Sequence, residues 1–113
     1  MGLFSRKAPE VIATFERRAY GCNALNENGT SRASYIAKLK VGEDLLFKPA
    51  PTKEYPDTIG VFTKKGYQIG FLHYSLVNEL RGQYRNNRAS ATVKAVEGSG
   101  QGLSVLMLIK IYK

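Results

Sequence analysis

Thr58-Ile59-Gly60-Val61-Phe62, then Lys64-Lys65-Gly66, then Tyr67-Gln68-Ile69-Gly70-Phe71-Leu72 is the stretch from which the fold can be read. Ile59 and Val61 alternate with smaller or polar neighbours, as a strand with one buried face requires. Lys64-Lys65-Gly66 is a tight connection, and a second apolar run follows it at once. Two short strands on either side of a glycine-containing turn make an antiparallel hairpin.

Working outward toward the C-terminus, Ser75 can cap a helix in which Leu76, Leu80 and Tyr84 fall at i, i+4 and i+8 with Val77 beside them. Asn86-Asn87 ends it. Residues 88–96 alternate Ala89, Ala91, Val93 and Ala95 with polar side chains, and Gly98-Ser99-Gly100-Gln101-Gly102 joins them to an apolar strand containing Ile109, Ile111 and Tyr112. Toward the N-terminus, Leu45-Leu46-Phe47 is a short run expected to be buried, halted by Pro49-Ala50-Pro51, because proline lacks the ladder donor. Asn26-Glu27-Asn28-Gly29 is a turn signal, after which Thr30 or Ser31 can cap a short helix with Tyr35, Ile36 and Leu39 inward, ended at Val41-Gly42. Val11, Ala13 and Phe15 alternate ahead of Ala19-Tyr20-Gly21-Cys22, which suits one or two strands with a glycine where the backbone bends or is closely approached. Residues 1–9 show no periodicity and are expected to be a flexible arm; residues 10–113 are expected to be one domain. Short strands, tight turns and two short helices define a mostly β, α+β chain, and favour a small, partly open OB-like or SH3-like barrel over a sandwich.

Composition bounds what such a domain can do. The 113 residues are 43% hydrophobic and 23% charged, with five Phe and seven Tyr, enough for one core. Seventeen Lys and Arg against nine Asp and Glu leave a net charge of +8, a field that attracts polyanions. Solubility alone is the plainer explanation of such a charge. Between residues 58 and 96 the positives are Lys64, Lys65, Arg81, Arg85, Arg88 and Lys94, and the one acid is Glu79. Cys22 is the single cysteine, so no internal disulfide or thiolate zinc site can form, and the expected location is cytoplasmic. No apolar run reaches the roughly 20 residues of a membrane helix. No cofactor or metal is expected.

Several pieces in order carry a resemblance. Gly29-Thr30-Ser31-Arg32, then Gly42-Glu43 ahead of a strand, then a proline-containing loop with Tyr55 and Asp57 ahead of Ile59 and Val61, then Gly66-Tyr67-Gln68-Ile69-Gly70-Phe71-Leu72 resemble the HIRAN family over about residues 19–113. The resemblance implies a modified OB-like barrel. It also implies binding of single-stranded DNA or its ends, a role the domain has in eukaryotes when attached to fork-remodelling ATPases; in bacteria it also occurs alone. This chain resembles such a stand-alone member, because it contains no Gly-x-x-x-x-Gly-Lys-Ser/Thr loop for nucleotide phosphates. The family's loop reads roughly Asn-Pro-Tyr-Asp-x-Asn-Ala-Ile, whereas Tyr55-Pro56-Asp57-Thr58-Ile59 here separates the Tyr from the Asp.

Single-strand binding needs aromatic faces for bases and cations for phosphates. Tyr35, Tyr55, Tyr67 and Tyr74 supply rings near the matched pieces; Arg32, Lys48, Lys53, Lys64 and Lys65 supply charge. Tyr35 and Tyr67 are more simply explained by core or sheet packing. Arg32 is the leading phosphate or base contact, or else a solvated arginine at a helix start. Tyr55 can stack on a terminal base, while Asp57 accepts a hydrogen bond from a base edge or sugar hydroxyl, or simply caps its loop. His73 can meet a phosphate beside Tyr74; as the only histidine it is a poor metal or general-base candidate. Arg81, Arg85 and Arg88 make either one basic stripe or the wet face of a helix. A nucleic-acid-binding module is therefore the first reading, and a protein-interaction module with an exposed sheet edge and a basic surface is the alternative. A hydrolase has little support, since no Ser-His-Asp set or paired carboxylates stand out.

Overall fold

The computed structural model describes residues 10–113; the arm expected at 1–9 lies outside the described residues. The elements are β1 (Val11–Arg18), α1 (Arg32–Ile36), β2 (Asp44–Pro49), β3 (Ile59–Thr63), β4 (Gln68–Phe71), α2 (Tyr74–Arg81), β5 (Arg88–Glu97), a 3-10 turn (Gly100–Gly102) and β6 (Ser104–Tyr112). The strands form one antiparallel sheet in the order β1-β6-β5-β2-β3-β4. The result is a small, mostly β α+β domain, as the pattern of short strands implies. None of its described helices is long and apolar enough to cross a membrane.

The hairpin expected over residues 58–72 is β3–β4. Its turn is closed by Gly66 N donating to Thr63 O at 2.8 Å, with Gly66 at φ +96°, a conformation that a side chain disfavours. β5 and β6 make the longest pairing. Val105, Met107, Ile109 and Ile111 of β6 are buried, and the small Ala91 and Val93 stand opposite Ile109 and Met107, leaving room for the larger side chains. An irregularity between Val93 and Ala95 leaves Lys94 unpaired in the ladder and reverses the inward parity, so that Val96 then faces Val105. Ile36 of α1 and Leu76 and Val77 of α2 complete the core.

The sheet is open, and its two edges approach each other. Directly after β1, Tyr20 forms an isolated bridge to Phe71 of β4, the opposite edge strand: Tyr20 N donates to Phe71 O at 2.8 Å and Phe71 N to Tyr20 O at 2.7 Å. Ala19 N reaches Val105 O of β6 at 3.0 Å just before it. Gly70 is the residue that permits the approach, because a Cβ there would stand 2.7 Å from Tyr20 O. On the other side of the sheet, β2 meets β5 only through Asp44 and Leu45.

Three local expectations change. β2 alternates instead of being a continuous buried run, with Leu45 inside and Leu46 exposed, because only one face of this strand meets the core. α1 stops at Ile36, which leaves Leu39 in the turn beyond it. α2 starts one residue earlier than Ser75 and is capped by His73, whose side chain accepts from Ser75 N; it ends at Arg81, so Tyr84 lies in the following turn and stacks on Phe15 with centroids 6.2 Å apart. A glycine that lets two backbones touch makes a clear test of the edge-to-edge bridge. Gly70→Ala is expected to lower stability by about 1–3 kcal/mol through overpacking, read as a lower urea midpoint with an unchanged slope; an unchanged midpoint would show that the bridge is not tight.

Candidate functional site

Where the two sheet edges meet, the surface is concave. A groove of about 560 Å³ lies between the 52–58 loop, the bridge at Tyr20 and the start of α2, with Phe71, Leu72 and Val77 among its lining residues. The loop is shaped by prolines at both ends and by hydrogen bonds centred on Tyr55. Tyr55 N donates to Thr52 Oγ1 at 2.9 Å, while Tyr55 O accepts from Thr52 N at 3.1 Å and from Thr58 Oγ1 at 2.8 Å. With its backbone so occupied, Tyr55 turns its ring to solvent.

Three exposed tyrosines line the groove: Tyr20, Tyr55 and Tyr74, at 53%, 67% and 73% exposure. His73 stands between two of them, its ring 4.7 Å from that of Tyr20 and 4.3 Å from that of Tyr74. Its Nδ1 accepts from Ser75 N at 3.2 Å and lies 2.8 Å from Ser75 Oγ. A nitrogen that accepts carries no proton, so the neutral ring has its N–H at Nε2. One bond thus both caps α2 and fixes which ring atom is left to donate. Asp57, exposed on the loop, faces Arg81 at the end of α2, with Oδ1 and Nη1 3.6 Å apart. An exposed pair of this length contributes about 0–1 kcal/mol, so both groups can exchange partners readily.

The structure brings Tyr55, Asp57, His73 and Tyr74 of the expected residues to one groove. Lys53 is exposed on the same loop without lining the wall. Tyr35 is elsewhere, stacked on Tyr67 with centroids 4.4 Å apart and planes within 3°. Arg32, expected to meet a phosphate, is instead drawn into the interior at 6% exposure. Its Nε donates to Asn26 Oδ1 and its Nη1 to Gly21 O, each at 2.8 Å, and the guanidinium lies 4.6 Å from the centroid of Phe71, which lines the groove. Burial lowers its pKa, partly offset by the Cys22 thiol nearby. Burial likewise pushes the Cys22 thiol up, outweighing backbone hydrogen bonding and the Arg32 charge. Tyr20, Glu54 and Asn78 are wall residues to which the sequence assigned no role. The signal available for Tyr20 was an aromatic next to Gly21, but its placement depends on an edge more than fifty residues away in the chain.

The groove offers flat aromatic faces, two carboxylates (Glu54 and Asp57), a guanidinium and an imidazole N–H. Among the described residues no cluster of three His, Cys, Asp or Glu could hold a metal ion. The arrangement is suited to gripping a flat, polar ligand that brings hydrogen-bond donors as well as acceptors.

No family model matches the sequence, and no curated protein matches it. Solved structures do match in fold. The HIRAN domain of human HLTF superposes with a TM-score of 0.64 at 13% identity, covering 90% of this chain and 77% of that one. A protein from Lactobacillus plantarum superposes with a TM-score of 0.62 at 18% identity, covering 94% of this chain and 98% of that one. The chain therefore has a HIRAN-like fold, which agrees with the resemblance carried by its motifs.

The interior position of Arg32 separates support from contact. Arg32→Ala leaves the Gly21 carbonyl and the Asn26 side chain without their charged donor, at an expected cost of about 2–3 kcal/mol. Chemical denaturation checks this, and stability equal to that of the wild type would return Arg32 to the surface as a free cation.

Proposed function

We propose that this domain is a non-catalytic nucleic-acid-binding module that takes single-stranded DNA, or the end of a DNA strand, in the groove between the 52–58 loop and the start of α2. The observation that carries the reading is the convergence of Tyr20, Tyr55 and Tyr74 on one groove bordered by Arg81, in a chain of net charge +8. Exposed tyrosines cost solvation without contributing to the core, whereas a base stacked on such a ring returns about 1–3 kcal/mol. Asp57 repels phosphate, so it suits a base amine or a sugar hydroxyl. The backbone of a bound strand then belongs on the Arg81 side, with Lys53 adding charge from the loop. His73 Nε2–H can donate to a phosphate or a base acceptor beside Tyr74.

The HIRAN-like fold supports the same reading, since DNA-end binding is what the motif resemblance implies. The departure at Tyr55-Pro56-Asp57 does not remove either residue from the wall: both line the groove, one on each side of the proline. A second reading rests on a different feature. Beyond Leu45 and Ala91 the β2 and β5 strands separate, leaving a cleft lined by Leu46, Phe47, Lys48, Ala89 and Ser90 where an extended peptide could pair with a strand edge.

A fluorescent oligonucleotide of about 10 residues, within the span of such folds, is expected to bind at low salt with micromolar affinity and to dissociate steeply as salt rises, because condensed counterions are released on binding. Tyr55→Ala should weaken it roughly 5- to 150-fold, the equivalent of one lost stacking contact. Linear strands should bind more tightly than covalently closed circles, with Asp57→Asn reducing the difference. Absence of any anisotropy change at micromolar protein would overturn the reading and leave the β2–β5 cleft as the site to pursue.

A further inference from the structure

The groove sits at the rim of the sheet, so its wall draws on both faces. Leu72 and Val77 line it from the helix side, where Leu45, Val61 and Ile69 are buried with Ile36 of α1 and Leu76 of α2. Thr58 and Phe71 line it from the other side. Side chains alternate along a strand, so Thr58, Gly60 and Phe62 share the face opposite Val61. In the register Gly60 stands opposite both Phe71 of β4 and Lys48 of β2, while Phe62 stands opposite Gln68 and Leu46. Residues directly opposite share a face as well, so the outer surface of β2, β3 and β4 begins at the groove wall.

That surface carries an aromatic ring held close to the groove. A Cβ on Gly60 would lie 2.8 Å from Cε1 of Phe62 and 2.9 Å from Cβ of Ala50, so the Phe62 ring folds back across Gly60 toward Ala50. Ala50 N in turn donates to Thr58 O at 2.9 Å. Phe62, Gly60, Ala50 and Thr58 therefore form one continuous strip that ends in the wall. Gln68 braces it from β4, its Nε2 3.2 Å from the same Cβ position and donating to Gly70 O at 3.1 Å. Phe62 is only half-buried and Leu46 beside it is 37% exposed, so an apolar surface here faces water. Lys48, exposed on the same face, has its ammonium 5.5 Å from the Phe62 ring centroid. No carboxylate pairs with Lys48 among the described residues. β3 and β4 contain no acid, and the one acid of β2, Asp44, stands at the end of that strand away from the groove.

We infer that Phe62 is a stacking platform for a base outside the groove and that Lys48 contacts the phosphate beside it. The inference rests on the nucleic-acid reading proposed above and extends it: a strand whose end occupies the groove leaves past Thr58 and runs over Gly60 along β3. Glycine keeps the surface low there, which is what lets the ring lie over the strand within reach of the groove. An aromatic ring on an open sheet face, next to an uncompensated cation, supplies the two contacts that a nucleotide makes. A surface cation–π contact at this distance is weak, so a base can displace the ammonium from the ring toward a phosphate.

The chain contains no tryptophan, so Phe62→Trp places a single indole at the site. A base stacked on it should quench its emission. An oligonucleotide of about 10 residues, within the span of such folds, is expected to cause that loss, and a sugar–phosphate strand of the same length without bases is not. Phe62→Leu keeps an apolar cover over Gly60 while removing the ring, and should weaken oligonucleotide binding roughly 5- to 150-fold. Lys48→Gln should lower the slope of log affinity against log salt by about 0.7. Tyr55→Ala reports the groove independently. If Tyr55→Ala weakens binding while the indole keeps its emission and Lys48→Gln leaves the slope unchanged, Phe62 only covers Gly60, and the platform is overturned with the groove intact. If the wild type does not bind the oligonucleotide at all, groove and platform fall together. Should Phe62→Leu fail to fold, the indole emission and the Lys48→Gln slope still decide. Polyglutamate of comparable charge should leave the emission unchanged; the same loss as with the oligonucleotide overturns the base platform in favour of an acidic peptide.

Discussion

Two hydrogen bonds between the backbones of Tyr20 and Phe71 connect the ends of a six-stranded sheet that would otherwise have two free edges. Much of the molecule is arranged around that contact. Gly70 gives it space, and Cys22 packs close by, its Sγ 3.5 Å from Ala19 O. Arg32 covers the far side of the junction, binding the Gly21 carbonyl while its guanidinium lies against the Phe71 ring. A buried arginine is tolerated there because its Nε and Nη1 donate to the Asn26 side chain and the Gly21 carbonyl while its flat face rests on Phe71. The same junction sets the Tyr20 and Phe71 rings at the wall of the groove, so the element that closes the fold is also the element that builds the site.

Rigid and adjustable parts of that site are divided cleanly. The bridge fixes the backbone of Tyr20, and the bond from Ser75 N holds the His73 ring at the cap of α2. Tyr55 and Asp57 belong to a loop organised by its own hydrogen bonds, and the Asp57 to Arg81 pair joins it to the helix through a solvent-exposed contact. A preformed aromatic wall opposite a lightly tethered loop lets a flat ligand enter without much reordering of the protein, which limits the entropic cost of binding.

The parts of the fold that were legible in the chain are those specified over short distances. Alternation at Ile59 and Val61 with Gly66 after them defined the β3–β4 hairpin, and the small residues of β5 followed by a glycine-rich connection defined β5–β6. Tyr55, Asp57, His73 and Tyr74 are singled out by the motif resemblance, and the structure sets all four at one groove. Tyr20 was not singled out, since its environment is created by a bridge to a distant strand. Arg32 misled for a related reason: an arginine after Gly-Thr-Ser looks solvated until the Gly21 carbonyl, the Asn26 side chain and the Phe71 ring are folded around it. His73 took the cap from Ser75 because an imidazole nitrogen can accept a backbone N–H from two residues away, a choice that the preference for serine at helix starts does not anticipate.

The first strand pairs with the last, from Val11 opposite Tyr112 to Arg18 opposite Leu106. Contacts so far apart in sequence raise the contact order and delay folding until a large loop has closed. During synthesis the β3–β4 hairpin can form as soon as it emerges, but β1 has no neighbour until β6 has been made, and Ala19 has no Val105 to bind. The Tyr20 side of the groove therefore gains the support of a paired β1 only once β6 is made. A nascent or truncated chain lacking β6 would leave β1 unpaired beside Tyr20, so the geometry of the groove is tied to completion of the sheet.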